Sequence, residues 1–123
     1  MIVDFHTHAF PDALAPRVIP ALAENSNARP CTDGTAAALE RKLAESGVAL
    51  GVVLPVVTRV GQFASVNAFA AELNRRPGLV SFGGIHPDDE EYEAHLAEIR
   101  RLGLRGVKLH PDYQGVYIDD ARY

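Results

Sequence analysis

Two histidines one residue apart, His6 and His8, end the opening run MIVDFHTH, and two more stand in GGIHPDD (His86) and GVKLHPDYQG (His110). Side chains alternate along a strand, so a strand over the opening run turns Asp4, His6 and His8 to one side and Val3, Phe5 and Thr7 to the other. Two neutral imidazoles so placed can hold one metal ion about 2.0–2.1 Å from each nitrogen, a donor set that suits zinc, iron or manganese. An HxH tripeptide alone is a weak signal. Its position at the C-terminal end of a strand that helices follow, where parallel α/β proteins collect their chemistry, makes metal binding the favoured reading. Lys108 and His110 share a face of their own strand, and three of four predicted strands finish in histidine at the same edge. Core packing does not readily produce that coincidence, so His86 and His110 read as active-site residues. Lys108 is weighed against an ordinary ion-pair role.

The elements that must position these groups are legible as a βα alternation. Strand candidates rich in Val, Ile, Leu and Phe occupy 2–8, 48–57, 79–87 and 104–111. Between them, Leu39 and Leu43 one turn apart, with Thr35 as N-cap and Gly47 as stop, predict a helix. Val66, Phe69, Ala70 and Leu73 predict a second. Tyr92, Leu96 and Ile99, after the acidic start DDEE, predict a third that Gly103 ends. His95 sits on the flank of that last stripe and, like the DDEEYE run, reads as solvated surface. Residues 9–34 hold four of the eight prolines and read as a long excursion, with a short helix at Arg17 to Glu24.

At 123 residues and 47% hydrophobic, the chain is the size of one domain with a real core. A net charge of −4 and a pI near 5.7 argue against nucleic acid and give no basic cluster for a membrane, which leaves a small-molecule substrate or a protein partner. The one cysteine, Cys31, excludes an internal disulfide and reads as a half-buried small hydrophobe; with no leader pattern, the expectation is a cytoplasmic protein. Strands joined by helices pair in parallel and need cover on both faces. Three helices shield one face only, and the other carries His6, His8, Lys108 and His110. A closed (β/α)8 barrel is one solution, and it takes about 250 residues.

Taken together, DFHTH, GGIHPDD and GVKLHPDYQGVYIDD resemble the amidohydrolase superfamily, specifically its amidohydrolase-2 branch of metal-dependent hydrolases with a TIM-barrel fold. The resemblance runs along the whole chain. It implies that residues 1–123 are the first four βα units of such a barrel, a single N-terminal half of a longer, truncated chain. It further implies a divalent metal, usually zinc, with manganese and iron as alternatives, bound by His6 and His8. The remaining ligands and a general-base aspartate would come from later strands. Lys108 lies at or near a strand-four position where relatives carry a carboxylated, metal-bridging lysine or use a glutamate. His86 and His110 are assigned to substrate orientation, and Asp4 to fixing strand geometry or a tautomer behind the ligands.

The activity so implied is hydrolysis of a C–N or C–O bond of a small molecule by metal-activated water. Some relatives instead decarboxylate aromatic acids on the same metal. A noncatalytic half-barrel that binds a partner or closes as a homo-oligomer is the alternative outside enzymes. A phosphoesterase of the PHP type also begins D-x-H-x-H but supplies more ligands early in the chain. The loops at 9–34, 58–64 and 111–118 hold Arg17, Arg29, Arg59, Tyr113 and Gln114. Any of these arginines could meet a carboxylate, although a solvated arginine is the commoner case.

Overall fold

The computed structural model describes residues 1–123 as an α/β fold in which every strand pairing is parallel. Strand β1 (Val3–Thr7) leads through α1 (Ala15–Ser26) and α2 (Ala36–Glu45) to β2 (Leu50–Val53). A single 3-10 turn and α3 (Phe63–Leu73) lead to β3 (Leu79–Ser81), which is followed almost at once by β4 (Gly83–Gly84). Helix α4 (Tyr92–Arg101), β5 (Val107–Lys108) and the four-residue α5 (Pro111–Gln114) complete the chain.

Each long element has a local cause. Thr35 caps α2 by accepting the Ala38 N–H at 3.2 Å, and Gly47 takes a positive φ of 68° just past the helix end. Helix α1 is longer than the Arg17–Glu24 segment predicted for it, because Pro16 sits in the first turn, where no intrahelical N–H is needed, and Pro20 lies within the helix. Its left-handed C-cap is Asn27 at φ 48°. Leu39 and Leu43 of α2, Leu73 of α3, Val53 and Leu79 form one buried cluster against the sheet. Phe63, Ala70, Ile99 and Leu104 form a second, with Val107 packed on it.

The predicted third strand, 79–87, divides in two. β3 pairs with β2, as Gly51↔Leu79 through Val53↔Ser81, whereas β4 pairs with β5, as Gly83↔Val107 and Gly84↔Lys108. Pro55 follows β2 and has no N–H to extend its ladder. Asn67 of α3, fully buried, takes the place of a strand neighbour: its Nδ2 donates to the Gly84 carbonyl and its Oδ1 accepts the Gly84 N–H, both at 2.9 Å. Only a glycine at 83 permits that approach, since a Cβ there would lie 2.8 Å from Asn67 Oδ1 and 2.9 Å from Ile99.

Three surface assignments change with the structure. His95 is half-buried: it stacks on Phe63 with ring centres 3.8 Å apart, and its Nδ1 lies 2.6 Å from Oδ2 of Asp89, a buried carboxylate within the run read as solvated. The ring and the carboxylate satisfy each other, which explains how Asp89 can be buried. Cys31 is exposed, in the loop between α1 and α2 where no core reaches it. On α4, Tyr92 and Leu96 remain exposed and only Ile99 of the predicted stripe is buried. No helix is long and apolar enough to cross a membrane.

Candidate metal centre

The registers show how the sheet aims its side chains. Gly51 faces α2, since a Cβ on it would meet Leu43, and Val53 belongs to the buried cluster beneath that helix. Parallel partners share a face, so Asp4 (opposite Gly51) and Thr7 (opposite Val53) turn towards the helices. Phe5 and His6 of β1 stand opposite the single residue Val52 of β2, which is a bulge. The bulge breaks the strict alternation predicted for MIVDFHTH: Asp4 falls on the side of Thr7, and Phe5 packs edge-on against Phe82, ring centres 5.8 Å apart. Thr7 anchors the end of the strand by donating its hydroxyl to the Val52 carbonyl at 2.9 Å. The bulged segment is also held by Asp4, whose Oδ1 accepts the His6 backbone N–H at 3.1 Å and makes no bond to an imidazole.

His6, within the bulge, and His8, just beyond it, lie close together. Their ring centres are 5.0 Å apart at an interplanar angle of 64°. With each nitrogen about 2.0–2.1 Å from an ion and each ring centre about 1 Å behind its nitrogen, a tetrahedral angle at the ion puts the two ring centres about 5 Å apart. The separation of the rings is compatible with two ligand positions of one ion. No group of three or more His, Cys, Asp or Glu side chains is gathered anywhere in the chain, so the pair alone falls short of a full ligand set.

Burial holds the His8 imidazole below its ordinary pKa, and repulsion from His6 adds to that depression; the Leu54 backbone opposes it, and Lys108 and His110 make lesser contributions in the same direction as His6. A neutral ring is the form that ligates a metal. Lys108 lies on β5, half-buried and without an ion pair, on the face opposite Val107. His110 follows at the strand's end, its ring stacked on Tyr113 with centres 4.1 Å apart.

His86 is placed differently. It borders a cavity of about 950 Å³ together with Asp88, Asp89, Tyr92, Leu109 and Arg122, and none of His6, His8, Lys108 or His110 lines that cavity. Its Nδ1 accepts the Asp88 N–H at 3.2 Å, and Asp88 in turn pairs with Arg122. Of the loop residues, Gln114 is buried and Tyr113 touches His110.

Asn67 was not singled out in the sequence, and Gln114, named there as a loop residue, was not expected to be buried. Asn67 left a readable sign, a lone amide on the helical row Phe63, Asn67, Ala70 that the structure buries. Gln114 left none, because nothing in PDYQG distinguishes a solvated glutamine from a buried one. No curated protein and no solved structure matches the chain. A family model does: the one described as amidohydrolase matches residues 3–123, from the first residue of β1 to the end of the chain. With that match running from the strand bearing His6 and His8 through the segment bearing Lys108 and His110, the chain belongs to the amidohydrolase family.

Proposed function

We propose that the chain is part of a metal-dependent hydrolase that cleaves a C–N or C–O bond of a small molecule, and that its parallel sheet forms the first four strands of a (β/α)8 barrel. The observation that carries this reading is the 5.0 Å separation of the His6 and His8 rings at the end of β1. His6 and His8 would hold the ion, and zinc would suit their two nitrogen donors best. A bound ion would supply polarisation of a carbonyl oxygen and a lowered pKa for water at the site.

The chain's own residues do the rest of what it contributes. Lys108 presents an ammonium beside His8, and its lack of an internal partner leaves it to meet the negative charge of a substrate. His110 orients the substrate from the end of β5, whereas His86 borders the adjoining cavity and stands outside this group. Asp4 keeps the bulge in register through the His6 N–H. The missing ligands and the general base come from later strands of the barrel. The test is zinc-dependent, chelator-reversible hydrolysis of a panel of lactones, esters and amides by the protein carrying the complete barrel. Activity is expected to disappear in His6→Ala and in His8→Ala, and equal rates in the wild type and both variants would refute the reading.

A further inference from the structure

One buried side chain ties together the strand ends that carry the candidate site. Gln114 Nε2 donates to the Val57 carbonyl at 2.8 Å and to the Ile85 carbonyl at 2.7 Å. Its Oε1 accepts the His110 N–H at 2.9 Å and the Tyr123 hydroxyl at 2.8 Å. That is the full capacity of a primary amide, two donors and two acceptor sites. The partners come from the loop after β2, the residue after β4, the second residue after β5 and the last residue of the chain. A side chain that only filled space would not need all four.

His110 receives most of this attention. Its N–H goes to the Gln114 side chain, and its carbonyl accepts the Gln114 N–H at 2.9 Å, so both polar groups of its main chain are held by one residue. With the backbone fixed, the ring lies flat on Tyr113, at an interplanar angle of 8°, and Nδ1 accepts the Tyr113 N–H at 3.4 Å. A neutral imidazole that accepts at Nδ1 carries its proton on Nε2. His95 provides the internal contrast. Its Nδ1 faces a carboxylate, which can only accept, so the proton sits on Nδ1.

We propose that Gln114 is a positioning residue whose buried amide locks His110 as an Nε2–H hydrogen-bond donor at the end of β5. The group that such a donor takes is an acceptor oxygen of the substrate, a carboxylate or a carbonyl, and Lys108 two residues earlier favours the carboxylate. The inference rests on the reading of His110 as substrate-facing, but its test needs neither metal nor substrate.

The test is a long-range ¹H–¹⁵N correlation of the imidazoles in the uniformly labelled full chain without added metal, at a pH where the rings are neutral. The wild type is expected to show His110 as one tautomer, Nε2–H, and His95 as the other. In Gln114→Glu, whose carboxylate cannot donate to Val57 and Ile85, and in Gln114→Met, which neither donates nor accepts, the His110 signals split between both tautomers while those of His95 stay in place. A purely structural glutamine would lower the unfolding midpoint and leave the His110 tautomer unchanged in a folded variant, which overturns the proposal. So does an Nδ1–H tautomer at His110 in the wild type. Should neither variant fold, hydrogen exchange on the wild type decides: the His110 amide and both Gln114 side-chain protons are expected to be protected, and rapid exchange of any of them counts against the lock. A locked His110 in a protein that binds no zinc at His6 and His8 would overturn the metal reading alone.

Discussion

Replacing Asn67 with leucine removes a buried amide while keeping the branched outline of the side chain, and the cost follows from what is left behind. Gly84 loses the acceptor of its N–H and the donor to its carbonyl, both at 2.9 Å, in a place where the Asn67 side chain is fully buried and admits no water. The Phe63 carbonyl also loses a 2.9 Å bond, but it retains its helical partner. Each orphaned buried backbone group costs about 1–3 kcal/mol, so Asn67→Leu should destabilise the protein by about 4 kcal/mol. That is a large share of the roughly 5–15 kcal/mol a domain possesses. Urea unfolding followed by circular dichroism measures it as a fall in midpoint at unchanged slope. Asn67→Asp retains an acceptor for the Gly84 N–H but sets a carboxylate against the Gly84 carbonyl, so it should be no better tolerated. A loss below about 1 kcal/mol in Asn67→Leu would refute the claim that α3 completes the hydrogen bonding of β4. The consequence reaches the candidate site, because Gly84 is the register partner of Lys108.

Other expectations are simpler to state. Gly83→Ala drives a Cβ to 2.8 Å from Asn67 Oδ1 and should cost about 1–3 kcal/mol in thermal or urea unfolding. Thr35→Ala, which removes the cap on the Ala38 N–H, should cost about 1 kcal/mol by the same measurement. The bidentate pair of Arg76 with Glu40, both bonds 2.7 Å, holds the Glu40 carboxyl below its ordinary pKa through the hydrogen bonds from Arg76. A depressed carboxyl stabilises the fold above its unfolded-state pKa and loses that contribution as pH falls through the folded value. Glu40→Gln should therefore be up to about 1 kcal/mol less stable than wild type near neutral pH, with the difference vanishing in acid. A difference that grew on acidification would contradict the sign.

The sequence exposed the fold where periodicity and caps were strong. Thr35, Leu39 and Leu43 define α2 as predicted, and the parallel βα order follows from strands spaced by helices. Boundaries failed where a tertiary contact replaces a ladder. Residues 79–87 read as one strand because nothing in LVSFGGIHP reveals that an amide on α3 takes over from β2 at Gly84. Asp89 and His95 read as surface because their pairing runs from a loop to a helix turn, and neither is part of an apolar stripe. At the candidate site, the convergence of His6 with His8 was legible from two-residue spacing, although the bulge that turns Asp4 away from them was not. His86 and His110 both follow a strand and precede a proline, and nothing in the sequence showed that His86 borders a cavity whose lining does not include His110.

The central claim is that His6 and His8 together hold a metal ion, and anomalous scattering at the zinc edge from crystals grown with zinc tests it most directly. The expected result is a peak about 2.0–2.1 Å from one ring nitrogen of each histidine, with Asp4 still on the His6 N–H. A map with no peak between the two rings, or with zinc on His86 or His95 instead, would contradict it.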